Sequence, residues 1–144
     1  MVALGAASRM AADSLPQSAS ELRDLRDRLH QRLADLLADR VSLNGHPEHR
    51  LPGTLNISMN TTRGADVLAA TPGIAAATGS ACHEGVDEPS PVLSAMGQPP
   101  ERALAALRFS LGRWTTAIEI DEAARQIAAS VAVSSRAASD PSGL

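Results

Sequence analysis

Lysine is absent from this chain: all 13 of its basic residues are arginine. No side-chain amine is therefore available to form a Schiff base with a carbonyl compound. Tyrosine is absent too, and the aromatic residues reduce to Phe109 and Trp114. With a formal net charge of −3 as well, the chain lacks both the basic footprint and the stacking surface of a nucleic-acid binder, so no such partner is expected. A single cysteine, Cys82, excludes an internal disulfide. The start of the chain has no basic segment leading into an unbroken apolar run, since Arg9 interrupts MVALGAASRMAAD. Together these features point to the reducing cytoplasm. No stretch approaches the roughly 18 to 20 apolar residues that span a bilayer, and no membrane partner is expected. What is present is 144 residues, 44% hydrophobic and 20% charged, enough for one domain with one core.

Residues 3–12 read as a short Ala-rich helix, and a break is expected at Leu15-Pro16-Gln17-Ser18, where proline resists helix continuation. The strongest periodic signal lies in 19–39. Leu22, Leu25, Leu29, Leu33 and Leu36 draw an apolar stripe down one helix face, with Ser18 or Ser20 as its cap. Between them Glu21, Arg23, Asp24, Arg26, Asp27 and Arg28 read as a solvated face of helix-spaced opposite charges. A coiled coil is the competing reading, but the stripe stops after about two heptads. A strand, VSLNG, then runs into the turn signal Asn44-Gly45 and the loop GHPEHRLPG. Residues 55–59 alternate apolar and polar as a half-buried strand does. A short helix from Thr62 to Ala70 and a strand over 74–78 follow, then a loop, and a helix opening at Pro91. ALRFSLG (106–112) is a second half-buried strand, with Leu107, Phe109 and Leu111 on one side and Arg108 and Ser110 on the other. Thr115 or Thr116 caps a final helix to about Val133, with acidic residues in its first turns. The expected fold is α/β (α+β), a small sheet of about three to four strands covered by helices.

Three places have the residue types for chemistry. Cys82 stands in Gly79-Ser80-Ala81-Cys82-His83-Glu84-Gly85, small residues before it and a polar, glycine-bounded stretch after it. Those neighbours are wrong for a core cysteine, so a reactive thiol is the better reading. His83 beside it is a candidate charge or base, although sequence neighbours often point apart. Arg108, on the polar side of its strand, has the planar fork that binds a carboxylate through two hydrogen bonds. His46-Pro47-Glu48-His49 offers two histidines, but in a proline-broken loop with no matching ligand pair, and no metal site is assigned.

GSACHEG (79–85), EPSPVLSAMG (88–97) and ALRFSLGRWTTAIEID (106–121) resemble the C-terminal, small-domain region of cysteine desulfurases and of the similar selenocysteine lyases. These belong to the class V aminotransferase group of fold-type I pyridoxal-phosphate enzymes. RLPGTLNISM and the helix ahead of it fit the same region, so the resemblance runs from about residue 2 to 133. It implies residues 1–18 as a helix and linker from a large domain and 19–133 as the small domain, while the composition of SSRAASDPSGL reads 134–144 as a polar, disordered tail. It implies Cys82 as the catalytic nucleophile that takes sulfur from L-cysteine and holds it as a persulfide, and Arg108 as the clamp on the substrate α-carboxylate. Arg113 is left as a structural charge. The cofactor implied is pyridoxal phosphate, yet its lysine belongs to the large domain and is absent from this chain. Catalysis would then need a separate large domain, and a sulfur-acceptor protein is the other implied partner. A non-enzymatic sulfur carrier or docking remnant, a fragment without present function, and a selenocysteine lyase-type domain are the alternatives.

Overall fold

In a computed structural model the described residues are 2–79 and 88–139. Their order is α1 (Val2–Leu37), a 3-10 turn (Ala38–Arg40), β1 (Val41–Leu43), β2 (Thr54–Met59), α2 (Gly64–Ala70), α3 (Pro91–Ala95), α4 (Pro100–Leu104), β3 (Ala106–Ser110) and α5 (Ala117–Ser139). The expected mixture of helices and a small sheet is what forms.

The sheet has three strands in the order β1-β2-β3, both pairs antiparallel. Val41 pairs with Met59 and Leu43 with Ile57, while Leu55 pairs with Phe109 and Ile57 with Leu107. Alternation along each strand sends Leu55, Ile57, Met59, Leu107 and Phe109 to one face. That face is covered by α1 and α5, which pack on each other and on the strands. From α1 come Leu29, Leu33 and Leu37, spaced by one turn, and from α5 Ile120, Ala124, Ile127 and Val131, all buried. The stripe is registered one residue later than expected at its end, since Leu37 is buried and Leu36 is 46% exposed. A spacing of 3.6 leaves that choice to the direction from which the sheet arrives.

Four further expectations are corrected. Helix α1 runs unbroken through Pro16. The proline removes one hydrogen bond to the turn before it, but Ala12 and Pro16 are exposed there, so water can take the freed carbonyl. Ser14 Oγ adds a local hydrogen bond, donating to Met10 O at 3.0 Å. Arg26 is not on a solvated face: it is 3% exposed, and its guanidinium donates to Leu51 O and to Asp27 Oδ1. The segment 74–78 makes no strand. Ile74 N closes a turn on Thr71 O, and Ala77 alone reaches β3, as an isolated bridge to Arg108. Finally α5 continues to Ser139, past the end expected near Val133, and α4 is a helix the residues had not announced. Residues 140–144 of the expected tail lie outside the described residues.

Turns and caps follow the local chemistry. Gly45, after β1, takes a φ of +86° that disfavours other residues. Thr116 and Glu119 form a reciprocal cap for α5: Thr116 N donates to Glu119 Oε2 at 2.8 Å and Glu119 N to Thr116 Oγ1 at 3.3 Å. The hydrogen bond from the Thr116 backbone is the main cause holding the Glu119 carboxyl below its ordinary range.

Between the two long helices, Arg28 binds Asp121 through both carboxylate oxygens, Nε at 2.9 Å and Nη2 at 2.6 Å, and Arg32 Nε adds a third contact at 3.2 Å. The hydrogen bond from Arg28 is the chief cause that lowers the Asp121 carboxyl from 3.8 to about 2, with Arg32 assisting. A depressed carboxyl stabilises the fold above its unfolded value, and that contribution fades as pH falls from 3.8 toward 2. Asp121→Asn is therefore expected to melt below the parent chain by a constant margin above about pH 5, a margin that closes toward pH 2. Melting curves across that range test it, and a margin unchanged at pH 2 would contradict the assignment.

Candidate functional site

The second face of the sheet is polar because the alternation of β2 and β3 leaves it so. Thr54, Asn56 and Ser58 point there from β2, and Ala106, Arg108 and Ser110 from β3. One end is closed by Leu93 of α3 and Ala103 of α4, which pack on Ala106.

Across the middle runs a single row of residues. Asn44 N donates to Asn56 O at 2.9 Å, extending the β1-β2 ladder by one residue. Asn56 is the cross-strand partner of Arg108, and Arg108 in turn pairs with Ala77, N to O at 2.7 Å and O to N at 3.0 Å. Directly opposed residues in antiparallel pairs share a face, with Cβ atoms about 5 Å apart. Arg108 thus stands between an amide on one side and a methyl group on the other. It is exposed, as expected from the pattern, and its side chain makes no hydrogen bond or ion pair among the described residues.

The left half of the row is locked by a network that the residues alone do not reveal. Arg102, on α4, donates from Nε to Asn44 Oδ1 at 3.0 Å and from Nη2 to Leu43 O at 2.7 Å. Asn44 Nδ2 donates to Asn56 Oδ1 at 2.8 Å and to Ser58 Oγ at 2.7 Å. Ser58 Oγ donates onward to Arg102 O at 2.7 Å. Asn44 and Ser58 are buried. Buried polar groups are tolerated where each is satisfied, as here. The alternation in LNISM already put Asn56 and Ser58 on one face. What it lacked was the register that sets Asn56 beside Arg108, and α4, which brings Arg102.

Of the other candidates, Cys82 and His83 lie outside the described residues. The histidine pair has a local role: His46 Nδ1 accepts hydrogen bonds from Glu48 N and His49 N, both 3.0 Å, and the two rings stand 4.4 Å apart. Arg113 lies over the Trp114 ring at 5.4 Å, a cation–π contact on an exposed loop. A groove of about 660 Å³ lined by Ile74, Phe109, Leu111, Trp114 and Ile118 opens on the helix-covered side, the opposite face from the Arg108 side chain.

The described residues do not make a pyridoxal site. The chain has no lysine to bind the aldehyde, and the row just described offers hydrogen-bond donors without a carboxylate. What the row can do is bind an anion of carboxylate size at its exposed end.

This fold is that of a module within larger NifS-like proteins. A NifS-like protein from Rickettsia africae superposes with a TM-score of 0.73 at 23% identity, over 88% of this chain and 32% of that one. A second solved NifS-like protein gives 0.69 at 26% identity, over 86% and 30%. In sequence the chain is 41% identical over 121 residues to the cysteine desulfurase IscS of Methylococcus capsulatus, and 42% over 121 residues to that of Haemophilus influenzae. Each match covers 84% of this chain and 30% of the relative. No family model matches. The chain is a homologue of the C-terminal part of the cysteine desulfurases and spans about a third of their length.

Proposed function

We propose that this chain is the sulfur-accepting module of a cysteine desulfurase. Arg108 holds the α-carboxylate of L-cysteine, and the thiolate of Cys82 takes up the sulfur as a persulfide. The observation that carries the reading is the row ending at Arg108 and Ala77. A guanidinium without a partner among the described residues is exposed there, and Cys82 follows Ala77 by five residues, a reach of at most about 18 Å. The likeness to cysteine desulfurases over 84% of the chain supports the same assignment. Residues 19–133 form the module. Residues 1–18 lead toward the domain that bears the lysine and the pyridoxal phosphate, which lies outside these 144 residues. Val2, Leu4, Met10 and Leu15 are exposed on that segment, as expected of a surface made to be covered. These residues by themselves are not proposed to release sulfur from L-cysteine. Among the described residues no helix is long and apolar enough to cross a membrane, and the cytoplasm is the compartment we propose.

The test uses sulfur transfer that needs no cofactor. The Cys82 thiolate attacks the outer sulfur of a low-molecular-weight persulfide; a new S–S bond forms, the donor's S–S bond breaks, and the donor leaves as its thiolate. Intact-mass spectrometry should show one added sulfur on the parent chain and none on Cys82→Ser. Cysteine persulfide, which has the carboxylate, should react about tenfold faster than cysteamine persulfide, which lacks it. Arg108→Met should erase that preference without abolishing labelling. Absence of sulfur on Cys82 would overturn the sulfur role, and equal rates from both donors would overturn the role of Arg108.

A further inference from the structure

We infer that Asn56 is a second carboxylate-binding residue, its side-chain amide donating beside the Arg108 guanidinium. The orientation of this amide follows from a chain of donors and acceptors. Arginine is a donor only, so Arg102 Nε at 3.0 Å requires the oxygen of Asn44 to face it. The Asn44 amide nitrogen must then point the other way, where it meets Asn56 at 2.8 Å and Ser58 Oγ at 2.7 Å. A donor facing Asn56 requires Asn56 to present its oxygen. The Asn56 Nδ2 group is thereby turned away from Asn44, and it makes no hydrogen bond among the described residues. Its neighbour across the strand pair is Arg108, on the same face and about 5 Å away at Cβ.

Two adjacent donors on neighbouring, hydrogen-bonded strands suit the two oxygens of one carboxylate. Arg108 supplies charge and a fork, while Asn56 supplies a neutral N–H whose direction is set before any ligand arrives. A lone exposed arginine must give up side-chain freedom to bind, whereas Asn56 has already been held by Arg102 through Asn44. The pair would favour an amino acid whose carboxylate lies across the strands between Asn56 and Arg108.

This inference rests on the assignment of Arg108 to the substrate carboxylate, and one experiment separates the two. The full chain, labelled with nitrogen-15, is titrated with L-serine, an isostere of L-cysteine that cannot donate sulfur, and in parallel with ethanolamine, which lacks the carboxylate. The expected result is a saturable shift of the Asn56 side-chain NH2 signals and of Arg108 Nε–H with L-serine, and none with ethanolamine. Asn56→Asp, which sets an anion beside the guanidinium, should weaken the L-serine response of Arg108 at least tenfold while signals of α1 and α5 stay in place. Movement of Arg108 alone, or an unchanged response in Asn56→Asp, would overturn the role of Asn56 and leave that of Arg108 standing. If neither residue responds, the carboxylate assignment itself falls. Should the variant fail to fold, the titration of the parent chain still decides.

Discussion

Ile57→Ala is expected to lower the melting temperature by roughly 15 °C. Ile57 is fully buried in the central strand, pairing with Leu43 on one side and Leu107 on the other. It belongs to the cluster in which α1, α5 and all three strands meet. Deleting a buried isoleucine to its β-carbon costs about 2–5 kcal/mol, the larger figures applying where neighbours cannot collapse into the space. Here the strand is hydrogen-bonded on both edges, so β2 cannot shift inward without breaking a ladder. For a domain of this size about 4 °C follows each kcal/mol. Ile57→Val, which keeps the shape, should cost only about 1 kcal/mol. Thermal unfolding followed by circular dichroism measures both. A loss of under 4 °C in Ile57→Ala would mean that the sheet does not pack on the two helices as described.

Gly64→Ala is the second large effect, and it acts on the site as well as on stability. Gly64 begins α2 and is buried against the start of β3. A Cβ there would overlap the Ala106 carbonyl oxygen and lie 3.1 Å from its carbon and 3.3 Å from Thr78 Cγ2. The obstacle is backbone at the first residue of β3, so relief requires moving α2, the strand or the Ala77–Thr78 segment. Overpacking of this kind costs about 3 kcal/mol, or about 12 °C in melting temperature. Because Thr78 follows the Ala77 bridge to Arg108, the same variant should disturb the amide signals of Ala77 and Arg108. An alanine accepted without loss, with those signals unmoved, would show that helix, strand and bridge are not in close contact.

How far the residues speak for themselves differs from element to element. The leucines of α1 and the alternation in β2 and β3 are local patterns, set by the 3.6 and 2.0 periods of the two backbones, and they are legible directly. Short elements are not. The single bridge at Ala77 and the five-residue helix α4 depend on partners distant in sequence, and their own residues give no periodic signal. Pro16 and Arg26 mislead for the same reason in opposite directions. A proline is tolerated where water reaches the freed carbonyl, and a charged residue is buried where Asp27 and Leu51 O receive it.

The site divides in the same way. Composition alone excludes a lysine-bound cofactor on this chain, because no fold can supply a functional group that no residue has. The alternation in β3 alone turns Arg108 outward. Whether Arg108 has a neighbour is a matter of register, and register is decided by how β2 and β3 slide until both apolar faces meet α1 and α5. That register sets Asn56 opposite Arg108, while Ala77, placed by the turn at Thr71–Ile74, comes in on the other side. Arg102 arrives from a helix the sequence does not announce and orients the amide through Asn44. Residue types determine which chemistry is possible here; long-range pairing determines which of those residues stand together, since hydrogen-bond donors become a binding site only when a third dimension puts them side by side.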